Sequence, residues 1–380
     1  MPIDLKTLGS KLSRYREQLT ESVDEVAANT GIDAGRLASI ERGETEPTGD
    51  EVLILADHYR CDFKFFISNE QVAPFEQTDT LYRAHGDDFT KADRRSVQDF
   101  LYLCETESFL MAELNRPSKA FAFKPTGTFF KRHGEDAAAQ VRASFGYADN
   151  ELPRDIYAEM RELGVHVFRR KLGRSDISGL FVHHPIAGRC ALINLSEDVY
   201  RQRFSAAHEL AHAIFDADAG PSVSYDRPAG GNLLEIRANR FASCLLMPPA
   251  FLAKLPSPSM WSDADALRWA NEMRVSCSSL GIALKEANLI DEAQSNRIRG
   301  LRVPAQSKVD PELPATLTPT QRARKERLLE LGLSNYYVDL CFDGFKGDKI
   351  SIGRLAEALL CTRGELGELA QLYGRTLHVD

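Results

Sequence analysis

The spacing of hydrophobic residues predicts that the first 68 residues form a bundle of short helices. Apolar side chains recur every three or four positions from Leu5 onward, which is the repeat of an amphipathic helix. Ser22, followed three residues later by Glu25, forms a capping-box pattern that opens a second helix. Asp33 can cap a third helix that ends at Gly43, and a fourth helix follows a polar turn.

Farther along the chain, the pattern changes from helices alone to a mixture of helices and strands. Strand character, meaning short runs rich in β-branched and aromatic residues, is found at 165–168, 177–182 and 190–194. Helical spacing is found at about 90–114, 137–145, 153–163, 201–215, 235–248 and in two helices near the end of the chain. The predicted fold is therefore mainly α with a small sheet, in the α+β class.

Composition narrows the class of protein. The chain is 43% hydrophobic and 27% charged, which are ordinary globular values that exclude collagen and low-complexity disorder. No run of 18 apolar residues exists, so we expect no membrane span. The seven cysteines are scattered and never spaced CxxC, which fits reduced thiols. The first residues also lack the features of a signal peptide, and we therefore expect a cytoplasmic protein.

An HExxH motif at residues 208–212 predicts a metal site. Positions four apart share one face of a helix, so His208 and His212 can present two nitrogens to the same ion. Zn²⁺ accepts imidazole ligands, and a catalytic zinc site leaves one position for water. Glu209 can take a proton from that water and pass it to the leaving amine. This spacing predicts a hydrolytic site in which Glu209 is the general base.

The third ligand is predicted from a second helix. Glu235 lies on the first turn of the helical segment 235–248, and a carboxylate from a second helix is the usual third ligand in this chemistry. Asp216 and Asp218 also follow the HExxH helix and compete for this role. Asp216 could either bind the metal or orient a ligand histidine, so it stays open beside the favoured Glu235.

The two site segments together resemble the ImmA/IrrE family of metallopeptidases. The match rests on RQRFSAAHELAH at 201–212 and EIRANRFASCLLMP at 235–248. The resemblance implies a zincin-like core of the gluzincin type. It also implies a bacterial or phage regulator in the cytosol, whose peptidase cleaves a repressor-type or antitoxin-type partner protein.

The same resemblance assigns roles to individual residues. It implies that His208, His212 and Glu235 bind Zn²⁺ and that Glu209 is the general base. Asn239, one turn from Glu235, is expected to support a metal ligand. The oxyanion stabiliser stays open among five residues that qualify by chemistry alone: His183, His184, Tyr225, Arg201 and Arg203. Segment 219–232, rich in Gly and Pro, is predicted to be a loop that either covers the cleft or only connects the two helices.

The N-terminal helices resemble the XRE-type, or lambda-repressor-like, helix-turn-helix. The resemblance rests on the second helix, on the turn at Gly31-Ile32 and on the third helix that ends at Gly43. It implies that the third helix lies in the major groove of DNA. The candidate DNA contacts are Arg36, Ser39 and Arg42.

The distribution of charge argues against DNA binding through bulk charge. The chain carries a net charge of −8, whereas proteins that bind nucleic acid in this way are basic. Residues 1–70 contain 8 Lys and Arg against 14 Asp and Glu, so most of the negative charge falls on the helix-turn-helix. DNA contact would need a local basic patch, and the alternative is a helical adaptor that contacts a protein.

These observations predict four consecutive parts. They are a helix-turn-helix at 1–70, a helical connector at 71–125, a peptidase domain at 126–300 and a helical C-terminal module at 301–380, which could also mediate a homodimer. The predicted function is that of a zinc-dependent endopeptidase regulator whose helix-turn-helix targets DNA or protein. The alternative is a non-catalytic DNA-binding regulator or toxin–antitoxin component that uses the peptidase domain as a sensor or docking unit.

Overall fold

A computed structural model describes residues 3–69, 80–82, 85, 88–119, 121–173, 176–225 and 232–377. The N-terminal unit consists of five helices: α1 (Leu5–Gln18), α2 (Val23–Thr30), α3 (Ala34–Glu41), α4 (Gly49–His58) and α5 (Phe63–Ile67). Ser22 and Thr48 each form a capping box, so the chain itself specifies where α2 and α4 begin. Asp33 caps α3 as predicted.

The next part of the chain forms a long helix and then the predicted peptidase region. Thr90 caps the long helix, which confirms the predicted start near residue 90. The elements up to the HExxH helix are α6 (Lys91–Glu113), α7 (Phe130–Ser144), α8 (Ile156–Glu162), β1 (Val165–Arg170), β2 (Ile177–His184), β3 (Gly188–Asn194) and α9 (Val199–Phe215).

The remaining elements are again mostly helical, which confirms the α+β class with a small sheet. They are β4 (Ser222–Tyr225), α10 (Leu233–Leu246), α11 (Pro249–Leu252), α12 (Asp263–Met273), α13 (Cys277–Glu286), α14 (Glu292–Gly300), α15 (Pro319–Glu330), α16 (Asn335–Lys346), α17 (Ile352–Ala358) and α18 (Arg363–Leu372). Within the described residues, no helix combines the length and the apolar character needed to cross a membrane.

The four strands form one mixed sheet in the order β1-β3-β2-β4. β1 runs parallel to β3, and β2 runs antiparallel to both of its neighbours. β4 corrects the sequence analysis, which assigned residues 219–232 to a loop. Residues 226–231 of that predicted loop lie outside the described residues. β4 is an edge strand that immediately follows the HExxH helix, so it lies beside the predicted site.

The sheet separates two hydrophobic clusters. Side chains such as Val167 and Ile193 point to a cluster that includes α9 and α10. Phe168 and Leu192, each one position along the same strands, point to a second cluster that includes α6, the N-terminal helices and the C-terminal helices. Helices therefore cover both faces of the sheet, which explains why all six residues of β1 are buried. The HExxH helix therefore packs against a buried sheet.

Candidate metal centre

Two packed helices bring the three predicted metal ligands together. α9 carries His208 and His212 one turn apart, and both side chains are buried. The side chain of Asn232 caps the N-terminus of α10, and Glu235 lies on the first turn of that helix. Because α9 and α10 pack against each other, the Glu235 carboxylate meets both imidazole rings.

The ligand atoms converge on one point. His208 Nε2 lies 3.1 Å from His212 Nε2 and 3.1 Å from Glu235 Oε2, and His212 Nε2 lies 3.3 Å from Glu235 Oε1. Ligands at about 2.0–2.1 Å from a tetrahedral zinc ion are separated from one another by roughly 3.3 Å. These three residues therefore fit a zinc ion in both their chemistry and their spacing.

The geometry separates Glu235 from the two competing carboxylates. Asp216 Oδ2 lies 3.0 Å from His212 Nδ1, which is the ring nitrogen on the far side from the converging atoms. Asp218 is exposed and is not part of the group. The spacing thus favours Glu235 as the third ligand and places Asp216 where it can orient His212.

Each histidine is oriented through its second ring nitrogen. His208 Nδ1 lies 3.1 Å from Asn239 Oδ1, and His212 Nδ1 contacts Asp216. A ring that donates its Nδ1 proton keeps the Nε2 lone pair available for a metal. Asn239 was predicted from its position one turn beyond Glu235, and the structure places it behind His208.

The ionisable groups of this centre perturb one another strongly. Burial would lower the pKa of His212, but its hydrogen bonds to Asp216 and Glu235 outweigh burial and raise that pKa to about 10. Burial would raise the pKa of Glu235, but its hydrogen bonds to His208 and His212 lower it well below the ordinary value. The site therefore stabilises a positive charge between the imidazoles and the carboxylate, and a bound cation would displace the proton that supplies it.

Glu209 lies next to the ligands and is completely buried. Neither of its carboxylate oxygens has a hydrogen-bond partner of normal geometry within the described residues. Strand β2 crosses directly over it at Gly179, where an added Cβ would lie 2.9 Å from Glu209 Oε1 and 2.9 Å from the Leu192 carbonyl oxygen. A buried carboxylate without such a partner is costly, and its presence beside the ligands fits a group with a chemical task.

Burial also alters the acid strength of Glu209. It raises the pKa of the carboxyl group, while the positive charges of His212 and His208 and the nearby Ser224 hydroxyl oppose that rise. A carboxylate with a raised pKa accepts a proton more readily than an ordinary glutamate. This environment is compatible with the predicted role of a general base.

A cleft of about 430 Å³ opens onto the centre. His208, Glu235 and Asn239 lie in its wall, together with two of the candidate oxyanion stabilisers, Tyr225 and Arg201. The Tyr225 hydroxyl donates a hydrogen bond to Asp88 Oδ2 at 2.6 Å. Arg201 pairs with Glu197 at 2.7 Å.

The other three candidate stabilisers are not among the residues of this wall. Arg203 is fully buried and donates hydrogen bonds to the carbonyl oxygens of Arg154 and Pro153. His184 Nδ1 accepts from two backbone amides, and His183 Nδ1 lies 3.1 Å from a backbone carbonyl oxygen. Tyr225 and Arg201 are thus the two candidate stabilisers that lie in the wall of the cleft.

The candidate DNA contacts lie together on α3 and the turn that follows it, and all three contact neighbouring side chains. Arg36 Nη2 donates to Glu51 Oε2 at 2.7 Å, and Arg42 Nη2 donates to Glu44 Oε2 at 2.8 Å. Ser39 forms a hydrogen bond with the Thr45 hydroxyl at 2.7 Å. The positive charge that a DNA backbone would need is thus partly neutralised within the domain.

Sequence reasoning missed two residues that shape the centre. Gly179 lies within the predicted strand 177–182, where no role was assigned to it, although its lack of a side chain makes room for Glu209. Sequence reasoning also did not single out Arg237, which donates a hydrogen bond to Asp216. The arginine carries no local signal that distinguishes it from Arg240 on the same helix.

Comparison with known families supports both resemblances. Residues 160–285 match the family model Peptidase_M78, described as an IrrE N-terminal-like domain, and this range includes His208, Glu209, His212 and Glu235. Residues 12–66 match the family model HTH_3, described as helix-turn-helix. No curated protein matches the chain. The chain thus joins an XRE-type helix-turn-helix domain to an IrrE-like metallopeptidase-type domain, which confirms the predicted fusion.

Proposed function

We propose that this chain is a zinc-dependent endopeptidase of the bacterial or phage cytoplasm that cleaves a repressor-type or antitoxin-type partner protein. In this proposal His208, His212 and Glu235 hold Zn²⁺ and Glu209 is the general base. The observation that carries it is the convergence of three ligand atoms beside a buried carboxylate that lacks a hydrogen-bond partner of normal geometry. The IrrE-like family match over the same residues supports it.

The residues divide the chemistry between them. A bound Zn²⁺ would polarise the scissile carbonyl group and lower the pKa of water. Asn239 and Asp216 orient the two imidazoles through their Nδ1 atoms. Glu209 accepts a proton from the attacking water on a carboxylate oxygen and delivers it to the leaving amine. The buried surroundings of Glu209 keep bulk water away from this proton transfer.

The helix-turn-helix domain would bring the peptidase to its target. Two kinds of target are compatible with the fold, namely DNA near a regulated gene and the partner protein itself. The partly neutralised arginines of α3 and of the turn that follows it favour the protein. In either case the peptidase acts where the N-terminal domain binds.

The proposal is tested with the full-length chain and Glu209→Gln. Both proteins should bind one equivalent of zinc, because Glu209 is not a ligand. Expression of each in the host, followed by mapping of newly formed protein termini, should reveal a cleaved regulator with the wild type alone. Equal cleavage by the two proteins would remove Glu209 as the base, and failure of the wild type to bind zinc would remove the peptidase proposal altogether.

A second candidate is a non-catalytic regulator that binds DNA and uses the peptidase domain as a sensor or docking unit. The nearly complete helix-turn-helix framework, matched over residues 12–66, favours it. A footprint on its own promoter that Arg36→Ala abolishes would support this function. Absence of any specific footprint at low salt would contradict it, whatever the outcome of the cleavage experiment.

A further inference from the structure

A buried arginine stands behind the metal centre. Arg237 lies on α10, two residues after Glu235, and its side chain is only 7% exposed. It donates a hydrogen bond from Nη2 to Asp216 Oδ1, while the other oxygen of Asp216 contacts His212 Nδ1 at 3.0 Å. A continuous line of polar contacts therefore runs from Arg237 through Asp216 to a predicted metal ligand.

The surroundings hold the guanidinium group in place. It lies over the ring of Phe215, 4.2 Å from its centroid, and 5.4 Å from the centroid of Phe130. Helix α7 packs closely against α10 because it carries Gly134 at the point of contact. An added Cβ at Gly134 would lie 2.6 Å from the Arg237 carbonyl oxygen. Aromatic faces attract a guanidinium group and restrict its orientation. The arginine is thus fixed by packing as well as by Asp216.

We propose that Arg237 is a positioning residue of the metal centre, which acts through Asp216 to fix the orientation of His212. This inference rests on the proposed zinc site. The carboxylate of Asp216 can rotate relative to the rest of its side chain. Because Arg237 holds Oδ1, the other oxygen, Oδ2, faces His212 Nδ1. Partners behind a metal-binding histidine commonly change metal affinity by about 10–100-fold when they are removed.

Arg237 also balances charge at this point. Asp216 and Arg237 form a buried pair, with side chains 10% and 7% exposed. Without the arginine, the contact with His212 alone would not fix the Asp216 carboxylate. The carboxylate would then be free to rotate away from the ring. His212 would then lose the contact that directs Nε2 toward His208 and Glu235. The expected consequence is weaker metal binding with an intact fold.

The test is a cycle of zinc affinities, measured by competition with a chromophoric chelator. Arg237→Met, Asp216→Asn and the double variant are compared with the wild type. Arg237→Met should weaken zinc binding about 10–100-fold. If the arginine acts through Asp216, adding Arg237→Met to Asp216→Asn should change the affinity by less than about threefold, because the two effects share one path.

Arg240→Met is the matched control, because Arg240 lies on the same helix and pairs instead with Glu135 and Glu286. It should leave zinc affinity unchanged. Unchanged affinity in Arg237→Met, or additive losses in the double variant, would overturn the inference while leaving the zinc site standing. A wild type that binds no zinc would overturn the proposed function and the inference with it. Should Arg237→Met fail to fold by circular dichroism, Arg237→Leu, which also removes the donor, is judged by the same criteria.

Discussion

Gly179 is the residue whose size most directly controls the space around Glu209. We expect Gly179→Ala to lower the free energy of unfolding by about 1–3 kcal/mol, the usual cost of forcing an extra methyl group into a packed interior. The methyl group would press on the Glu209 side chain and on the Leu192 carbonyl oxygen. Zinc affinity should change little, because the ligands lie on α9 and α10. Urea unfolding and zinc titration measure the two effects separately.

Gly367→Ala is the control for this substitution. Gly367 lies within α18 with no atom within 4 Å of an added Cβ, so alanine should stabilise the chain slightly, by about 0.5–1 kcal/mol. If Gly179→Ala were as stable as the wild type, β2 would be able to move away from Glu209. The close approach would then not constrain the carboxylate.

Glu159 gives the chain a pH-dependent stability that is separate from the metal centre. Burial raises the pKa of its carboxyl group from 4.5 to about 7, although a hydrogen bond from Tyr147 opposes the rise. Between pH 4.5 and 7 the folded state therefore binds more protons than the unfolded state. The sign of the linkage means that stability falls as the pH rises through this range. The ionised carboxylate is a net cost at pH 8.

Glu159→Gln should remove this cost and still accept the Tyr147 hydrogen bond, which measures 2.6 Å in the wild type. We expect the variant to be more stable than the wild type by about 1–3 kcal/mol at pH 8, with the difference disappearing near pH 4.5. Urea unfolding across this pH range measures it. Glu162→Gln, an exposed position on the same helix, should shift stability by less than about 0.5 kcal/mol. A constant difference at every pH would contradict the titration of Glu159.

At the residue scale, the sequence predicted which side chains lie together where local spacing encodes the arrangement. His208 and His212 are four residues apart, so a helix alone brings them to one face. Glu235 was predicted from a second helical pattern, and the structure places it beside both histidines. The contact between Gly179 and Glu209, and that between Arg237 and Asp216, join different elements. No spacing along the chain encodes either contact.

At the scale of elements, helices with strong local signals were predicted well and the edge strand was not. The caps Ser22, Asp33 and Thr90 mark helix starts that the structure confirms. β4 contains only four residues, and it is a strand because it pairs with β2 across more than 40 positions of sequence. A segment whose conformation depends on such long-range pairing has no periodicity of its own.

The helix-turn-helix unit supports a prediction about charge. Glu44→Gln together with Glu51→Gln should release Arg42 and Arg36 from their present partners, while glutamine at position 51 can still complete the Thr48 capping box. Each arginine that gains a phosphate contact should steepen the log–log dependence of DNA affinity on salt by about 0.9. Fluorescence anisotropy with duplex DNA should therefore show a slope steeper by roughly 1–2.

The control is the pair Glu17→Gln and Asp57→Asn, which makes the same change of net charge in the same domain at two side chains that are each 69% exposed. An equal gain in DNA affinity in the control would show that net charge governs binding, and not the release of Arg36 and Arg42 from their glutamate partners. No binding by either variant would favour a protein target for this domain.

At the scale of the whole molecule, the four predicted parts do not each have their own core. The N-terminal helices, α6 and the C-terminal helices share one hydrophobic cluster with one face of the sheet. Phe168 of β1, for example, packs edge-to-face against Tyr337 of α16, with ring centroids 5.4 Å apart. Hydrophobic patterns showed which faces of these helices are apolar, but not which other element each face covers. The C-terminal helices are therefore part of the support of the sheet.

Arg95 links α6 to the N-terminal helices through polar contacts, so its removal tests how strongly these two parts are coupled. It donates to Glu21 Oε1 at 2.8 Å and to the His58 carbonyl oxygen, while His58 Nε2 lies 2.8 Å from the other Glu21 oxygen. Arg95→Met would leave the buried Glu21 carboxylate with His58 alone, at an expected cost of about 1–3 kcal/mol. Amide exchange in residues 3–69 should accelerate about 5–150-fold, since 1.4 kcal/mol corresponds to a factor of about 10, and exchange in α9 should not change. Lys91→Met breaks only a half-exposed pair with Glu25 and should cost less than about 1 kcal/mol. Equal acceleration in α9 would mean that the N-terminal unit and the peptidase core open together as one cooperative body.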